Sequence, residues 1–199
     1  MSKAREDEKI LTKEKKEAQE TQANIRFEIG DFIIYGSNGV CKITDCGKLD
    51  SVCASKDKLY YTVEPYYTTG TKIYTPVDND KVVMRPIVTK EEAISLIDEI
   101  NEIENLWIAD EKRREQEYKQ SIQKCDCKEL VRIIKTIYLR KQSRLAEGKK
   151  VTASDEKYFR IAEEQLYGEL AVSLEMDKNE TKEYVINRVK QNIGEEDTK

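Results

Sequence analysis

Apolar residues follow two different periods along this chain, and the change lies between Pro86 and Thr89. Before it, apolar and β-branched residues occur in short runs separated by turn residues, which is typical of strands. Asn38-Gly39 between two such runs indicates a tight hairpin, because that turn requires positive φ. The runs, at 32–35, 40–44, 59–63 and 71–77, predict a small antiparallel sheet of about four or five strands. We expect the sheet to curl into a barrel, since so few strands otherwise leave open edges.

From Thr89 onward the period becomes helical, and capping residues predict five helices. Thr89 and Glu92 form a capping box before the first helix, and Gly148 ends the third. The second helix is predicted over 110–122, and Asp126 is the predicted N-cap of a third helix that reaches about Leu145. Thr152 or Ser154 caps a fourth helix, which reaches about Met176. Asn179 or Thr181 begins a fifth helix, which ends before Gly194.

The N-terminal segment carries neither pattern. Residues 1–26 are charged, contain no glycine or proline, and offer few apolar side chains to bury, so we expect an exposed extension. The predicted fold class is therefore α+β with two domains: residues 1–26 form the extension, 27–88 a small antiparallel barrel, and 89–199 an all-α domain of about five helices.

Composition favours a cytoplasmic protein. The chain has no run of about 18 apolar residues that could cross a membrane, and the N-terminus lacks the apolar core of a secretory signal. Its five cysteines are an odd number without an export signal, which indicates reduced thiols. We expect a monomer that makes no contact with membranes.

Charge is distributed unevenly, although the net charge is only −4. The stretch from Lys128 to Lys150 contains eight basic residues against two acidic ones, in an otherwise acidic chain. A local basic patch can hold phosphate even when the whole protein is anionic. The charge pattern is therefore compatible with a nucleic-acid partner.

Enzyme and metal chemistry find little support in the residues. The chain has no histidine, so the commonest general acid or base is absent, and its glycines do not match a phosphate-loop spacing. Cys41 and Cys46, like Cys125 and Cys127, lack the Cys-x2-Cys spacing of structural zinc sites. We expect no enzymatic activity, no cofactor and no metal site.

The third predicted helix carries an apolar face and a basic face opposite to it. Lys128, Arg132 and Lys135 recur along the basic face at i, i+4 and i+7. An ordinary solvated face has this pattern, and so does a surface that follows DNA phosphates. Further basic residues, as far as Lys149 and Lys150, favour the surface that follows DNA phosphates.

Trp107 is the one tryptophan of the chain and lies between two predicted helices. A single tryptophan is commonly a core anchor. Beside the basic residues Arg113, Arg114 and Lys119, an exposed tryptophan could instead stack on bases or insert into a minor groove. Taken alone, the residues leave both interpretations open.

The first predicted domain resembles a known family, the CarD/CdnL-type transcription regulators of bacteria. That family opens with Phe-x-x-Gly-Asp, followed by a strand and Tyr-Pro-x-x-Gly-Val. The matching residues here are Phe27, Gly30, Asp31, Tyr35, Gly39 and Val40, and Gly36 stands where the family usually has proline. The resemblance implies a Tudor-like RNA polymerase-interacting domain of the kind shared with transcription-repair coupling factor.

The second predicted domain also resembles the family, in the stretches 145–159 and 164–171. In the family this domain contacts promoter DNA upstream of the melted region, and a tryptophan inserted in the minor groove helps to keep the bubble open. Trp107 occupies the equivalent stretch, and Lys157 lies beside the position of a family basic residue. The resemblance therefore implies docking on the polymerase β subunit and stabilisation of the open complex.

These considerations give two sets of candidate residues. The β subunit is expected at an edge strand ending in proline, because edge strands can extend a partner's sheet; its residues are Lys72, Ile73, Tyr74, Thr75 and Pro76. The minor groove and phosphates of promoter DNA are expected at Trp107, Arg113, Arg114, Lys119, Lys128, Arg132, Lys135, Lys149, Lys150 and Lys157. Through polymerase the protein would be associated with the nucleoid.

Two other functions remain as alternatives. The same barrel could dock on polymerase while the helical domain binds protein, which would make the chain an interaction adaptor without direct DNA contact. An enzyme of a kind not recognised from motifs is the second alternative, and it would require a deep pocket with converging carboxylates.

Overall fold

A computed structural model describes residues 26–49, 58–106, 108, 110 and 113–196, with side chains described as far as Asn192. Within these residues an antiparallel sheet is followed by helices, which confirms the α+β class. The strands are β1 (Phe32–Tyr35), β2 (Val40–Lys48), β3 (Leu59–Pro65), β4 (Ile73–Pro76) and β5 (Met84–Pro86). Their order is β4-β3-β2-β1-β5, so β4 and β5 are edges and the sheet does not close into the expected barrel.

The contacts of the chain divide it into two compact units. Unit 1 contains the described residues up to Phe32 and those of Cys41–Val82. Unit 2 contains Ile33–Val40 and the described residues from Val83 onward. The domain limits 27–88 and 89–199 stay a prediction.

Unit 1 is built from β2, β3 and β4. β2 pairs with β3 from Cys41↔Pro65 to Lys48↔Leu59, with a register shift between Ile43 and Asp45. The predicted run ended at residue 44, but this ladder continues the strand through polar residues to Lys48 because β3 offers partners for their backbone groups.

The core of unit 1 forms around Tyr61, whose side chain is completely buried together with Ile43 and Val63. The Tyr61 hydroxyl accepts hydrogen bonds from the backbone N–H groups of Arg26 (2.9 Å) and Phe27 (3.1 Å). The Phe27 ring packs edge-on against Tyr61 at 6.0 Å between centroids. The first residues of the family pattern therefore close the end of this core.

Unit 2 includes the turn after β1 and strand β5. β1 pairs with β5 from Ile33↔Pro86 to Tyr35↔Met84. The turn is a 3-10 segment, Gly36–Asn38, with positive φ at Gly36 (47°) and Gly39 (67°). The positive φ predicted for the turn at Asn38-Gly39 is confirmed at Gly39, and the loop Gly36–Gly39 uses a glycine with positive φ at each end.

Five helices follow in the described part of unit 2, with limits close to those predicted. The second helix begins at Arg114, four residues later than expected, and the fifth continues beyond Gly194. The helices are α1 (Lys90–Asp98), α2 (Arg114–Gln123), α3 (Cys127–Ala146), α4 (Ala153–Leu174) and α5 (Lys178–Glu196).

Side-chain caps fix most of these helix starts. The capping box of α1 is confirmed, because Thr89 N–H donates to Glu92 (2.7 Å) and Glu92 N–H donates to Thr89 (3.2 Å). Asp126 caps α3 as expected. Of the two candidates before α4, Thr152 is the cap, and Asp177 rather than a later residue accepts from the first turn of α5.

The core of unit 2 is formed mainly by α3 and α4. Leu130, Ile133 and Ile137 of α3 are almost completely buried, as is Leu170 of α4, and Tyr118 of α2 packs with them. No helix among the described residues is both long and apolar enough to cross a membrane.

Candidate functional site

The predicted docking segment lies at an edge of the sheet. β4 pairs with β3 on one side, from Tyr60↔Pro76 to Val63↔Ile73, and has no second neighbour among the strands of the described residues. An edge strand leaves every second pair of backbone groups without a partner in its own sheet. The candidate docking site is therefore made of the β4 residues whose backbone N–H and C=O groups point away from β3.

The hydrogen-bond register identifies the outward residues of β4. The N–H of Val77 donates to the carbonyl of Leu59 at 3.0 Å, so every second residue back from Val77 bonds to β3. Thr75 and Ile73 consequently direct their backbone groups inward, whereas Tyr74 and Pro76 direct theirs away from the sheet. Since proline has no N–H, Tyr74 supplies the one complete outward donor and acceptor pair within β4.

The side chains around Tyr74 hold the strand in place without covering it. Thr75 is 2% exposed and anchors β4 to the core, whereas the Tyr74 side chain is 52% exposed. Lys72 forms an ion pair with Glu64 of β3 at 3.2 Å. Glu64 also accepts from the hydroxyl of Thr44 at 3.3 Å. The outward backbone of β4 is therefore presented from a well-supported strand.

A group of rings that the sequence did not predict lies where β3 ends, in contact with the start of β1. We call Phe32, Tyr66 and Tyr67 the aromatic corner. The Phe32 and Tyr66 rings lie 5.3 Å apart at 89°, and Tyr66 and Tyr67 lie 5.0 Å apart at 82°. Tyr66 is 52% exposed and Tyr67 47%. The two adjacent tyrosines directly before a Thr-Thr-Gly turn were the available signal, since large rings in a turn are seldom needed for the turn itself.

Trp107, the first of the DNA candidates, lies outside the described residues. Arg113 and Lys119 are exposed, at the start and on the surface of α2. Arg113 lies 3.9 Å from the carboxylate of Asp110. Arg114 is partly buried and close enough to Tyr118 to lower the pKa of its hydroxyl, although burial raises that pKa more. Of these candidates, Arg113 and Lys119 are therefore the most accessible to a phosphate.

The three basic residues of α3 have different environments. Lys128 is exposed and pairs with Glu99 at 2.9 Å. Arg132 is 33% exposed and pairs with Glu129 at 2.8 Å. The ammonium of Lys135 instead donates to three backbone carbonyls in the segment after α1, those of Ile100, Asn101 and Ile103.

Burial lowers the pKa of Lys135. Its three donors are already used by the carbonyls it contacts, so its contacts favour a structural role. The DNA role predicted for Lys135 stays a prediction that its environment does not favour.

The remaining DNA candidates lie at the junction of α3 and α4. Lys149 is 60% exposed and pairs with Glu147 at 2.7 Å, and the side chain of Lys150 is exposed. Lys157 lies 3.9 Å from Glu115 and 5.0 Å from the centre of the Tyr158 ring. Exposed ion pairs of this kind contribute little free energy, so these lysines can exchange a carboxylate for a phosphate.

A buried ion pair joins β5 to α4 within unit 2. Arg85 makes a two-pronged contact with Glu169, at 2.5 Å and 2.7 Å, and Glu169 is 1% exposed. The Val88 N–H also donates to Glu169 at 3.0 Å. Burial alone would lower the pKa of Arg85, but the hydrogen bond and charge of Glu169 raise it overall. We call this arrangement the Arg85–Glu169 clamp.

The cysteines near the Arg85–Glu169 clamp lie in surroundings that disfavour the reactive thiolate form. The Cys127 thiol donates to Glu169 at 3.2 Å, and the Cys125 thiol donates to the carbonyl of Gly36 at 3.4 Å. Burial raises the pKa of both, and that of Cys41 to about 12. Cys53 lies outside the described residues. No group of three or more carboxylate or thiol side chains in the described part could hold a metal ion.

Comparison with known proteins identifies the first part of the chain. Residues 27–88 match the family model of the CarD-like/TRCF RID domain. The resemblance found in the sequence is confirmed over these residues, which are similar to a CarD-like RNA polymerase-interacting domain. A search of curated proteins found no match to the chain.

Proposed function

We propose, from the CarD-like/TRCF RID domain at residues 27–88, that this protein is a non-enzymatic transcription regulator that docks on the β subunit of RNA polymerase. Its helical part contacts promoter DNA upstream of the melted region and stabilises the open complex. It acts in the cytoplasm and reaches the nucleoid through polymerase. The closed Tudor-like barrel typical of such domains is here an open sheet, and the open edge is what supports docking.

The observation that carries the proposal is the free edge of β4. A strand of polymerase can extend the sheet there, since Tyr74 presents an outward N–H and carbonyl. Pro76 limits such pairing, because it offers a carbonyl but no N–H. Backbone pairing of this kind adds affinity without requiring a particular partner sequence. The exposed side chains around Tyr74 are then left to provide selectivity.

DNA contact follows from exposed basic side chains on unit 2. Arg113, Lys119, Lys128, Lys149 and Lys150 are accessible, and those paired with carboxylates lie in exposed, weak ion pairs. A weak DNA site suffices, because docking on polymerase raises the local concentration of promoter DNA. Trp107 supplies the apolar surface that would enter the minor groove.

The adaptor function remains the second candidate, and one observation favours it. Several basic side chains of the predicted DNA surface already face carboxylates of the same chain, as in the pairs of Lys128 with Glu99 and Lys149 with Glu147. Such a mixed surface also suits a protein partner. The two functions differ in whether loss of Trp107 affects the promoter complex.

Docking on polymerase can be tested at Tyr74 by comparing two substitutions with each other. Tyr74→Ala removes the side chain but keeps the N–H, whereas Tyr74→Pro removes both, at a position that does not bond to β3. We expect Tyr74→Pro to bind the polymerase β subunit about fivefold more weakly than Tyr74→Ala, since one backbone hydrogen bond is worth about 1 kcal/mol. Affinity is measured with the full chain, and circular dichroism checks the fold.

Equal affinities of Tyr74→Pro and Tyr74→Ala would contradict edge pairing at β4. Binding of both variants at the affinity of the unmodified protein would contradict β4 as the docking site altogether. A shift of the thermal transition in Tyr74→Pro alone would mark damage to the strand, and Tyr74 N-methylation by peptide ligation then replaces it as the test.

The DNA function is tested by Trp107→Ala in promoter complexes. We expect the variant to bind polymerase as before, because β4 is untouched, and to shorten the lifetime of the open complex severalfold. The lifetime is measured by competitor challenge of preformed complexes. An unchanged lifetime with intact polymerase binding would establish the adaptor function in place of the DNA function.

A further inference from the structure

Three side chains of α3 hold the connection between α1 and α2 by its backbone. They are spaced at i, i+3 and i+4 and therefore lie on one face of the helix; we call Arg132, Lys135 and Thr136 the holding residues. Arg132 donates to the carbonyl of Glu104 at 3.3 Å, and Thr136 accepts from the N–H of Leu106 at 2.8 Å. Lys135 donates to the three carbonyls already described, between residues 100 and 103. The holding residues thus fix the backbone of the connection at several points between residues 100 and 106.

The hydroxyl of Thr136 takes part in two hydrogen bonds. It donates to the carbonyl of Arg132, one turn earlier, at 2.6 Å, and its oxygen lone pairs accept from the N–H of Leu106. Threonine has few favoured side-chain orientations in a helix, so this oxygen is held in place before the connection bonds to it. Valine has nearly the same shape without the oxygen, and it would leave the N–H of Leu106 without this acceptor.

The residue that bonds to Thr136 stands directly before Trp107 in the sequence. Leu106 and Ile108, which precede and follow Trp107, are both partly buried and pack against the core of unit 2. The distance between consecutive Cα atoms is fixed at about 3.8 Å across a trans peptide. The backbone position of Leu106 therefore limits where the next residue of the chain can lie, and the bond to Thr136 fixes that position.

A role in stability alone would not require a bond at this point. Lys135 already ties the first part of the connection to α3, and Leu106 already packs apolar surface against the core. Thr136 adds a directional bond to a backbone that these contacts hold near the helix. A hydrogen bond restricts orientation, whereas apolar burial is non-directional. The extra bond therefore suits a residue that sets the orientation of the chain.

We propose that Thr136, supported by Arg132 and Lys135, positions Trp107 for the minor groove by fixing the backbone directly before it. The inference rests on the proposed DNA function and adds the residues that set its geometry. A backbone that is ordered before binding loses less conformational entropy when the complex forms. Thr136 is thus a positioning residue, which acts on promoter DNA through Trp107.

The test compares Thr136→Val with Thr136→Ser in the full chain, because serine keeps the hydroxyl that valine lacks. We expect Thr136→Val to shorten the lifetime of the open complex by about two- to tenfold, the range that one hydrogen bond covers. Thr136→Ser should stay within about twofold of the unmodified protein. Trp107 is the one tryptophan of the chain, so acrylamide quenching of tryptophan fluorescence in the free protein reports on it directly. Quenching should change in the valine variant and not in the serine variant.

Thr181→Val is the matched control for the loss of a threonine hydroxyl. The hydroxyl of Thr181 also donates to the carbonyl four residues earlier, that of Asp177 at 2.8 Å, but it belongs to α5. This variant should leave the lifetime and the quenching unchanged. Circular dichroism checks the fold, and Thr136→Ala replaces Thr136→Val if the thermal transition of the latter shifts more than that of the control.

Two results would overturn the inference. One is unchanged quenching in Thr136→Val. The other is a shorter lifetime in the double variant Thr136→Val with Trp107→Ala than in Trp107→Ala alone, because Thr136 would then act independently of the tryptophan. Trp107→Ala also separates this inference from the DNA function. If it leaves the lifetime unchanged while Thr136→Val alters the quenching, the DNA function fails and the dependence of Trp107 on Thr136 stands.

Discussion

Lys135 and Lys128 have the same side chain on the same helix and yet differ in what they can do. Both lie on the face of α3 that is basic in the sequence. Lys135 donates to three carbonyls in the segment after α1, whereas Lys128 pairs with Glu99 at the surface. A periodic pattern of charges cannot distinguish these environments, because it contains no information about the segment that packs opposite.

This difference predicts that two alanine substitutions lower stability by very different amounts. Lys135→Ala should lower the free energy of unfolding by about 1–3 kcal/mol, because it leaves half-buried carbonyls without donors. Lys128→Ala should change stability by less than about 0.5 kcal/mol, since its ion pair is exposed. Urea denaturation followed by circular dichroism measures both. A larger loss for Lys128→Ala than for Lys135→Ala would contradict the structural role of Lys135.

At the scale of elements, helices are better specified by the sequence than strands. Local caps determined the starts of α1 and α3, because Thr89, Glu92 and Asp126 bond to backbone within their own first turn. β5 was not predicted, since Met84–Pro86 has only three residues and includes a proline and an arginine. That strand exists because β1 provides a partner for it, and β1 lies about fifty residues earlier in the chain.

The whole molecule is divided in a way that the hydrophobic period does not indicate. The period changes near residues 86–89, but the compact unit that contains the helices also takes Ile33–Val40 and begins again at Val83. The Arg85–Glu169 clamp supplies part of the reason, since it joins residues 84 positions apart in the chain. The Cys125 thiol, bonded to the Gly36 carbonyl, ties the turn after β1 to the same unit.

The clamp predicts a large loss of stability on removal of one charge. Glu169→Gln should lower the free energy of unfolding by about 3 kcal/mol, because it leaves the partly buried guanidinium of Arg85 without a counter-charge. Glu163→Gln is the matched control on the same helix. Its partner Lys182 is 44% exposed, so we expect a loss below about 1 kcal/mol. Both values come from urea denaturation of the full chain.

A double substitution sharpens the test of the clamp. Replacing Arg85 and Glu169 together by methionine should recover most of the stability lost in Glu169→Gln, since a buried ion pair costs desolvation that an apolar pair does not. A loss of stability in the double variant as large as that in Glu169→Gln would contradict the assignment of the cost to an unpaired charge.

The sequence by itself determined the α+β class, four of the five described strands, the caps of α1 and α3, and the resemblance of residues 27–88 to a polymerase-interacting domain family. These features depend on interactions between residues close together in the chain, or on motifs that can be recognised from the order of neighbouring residues. Only the tertiary structure decided that the sheet stays open at β4, that Tyr74 presents its outward backbone, that Phe32 meets Tyr66, and that Lys135 is held by carbonyls. Each of these depends on which distant segment lies alongside, and a one-dimensional pattern of apolar and charged residues does not specify that neighbour.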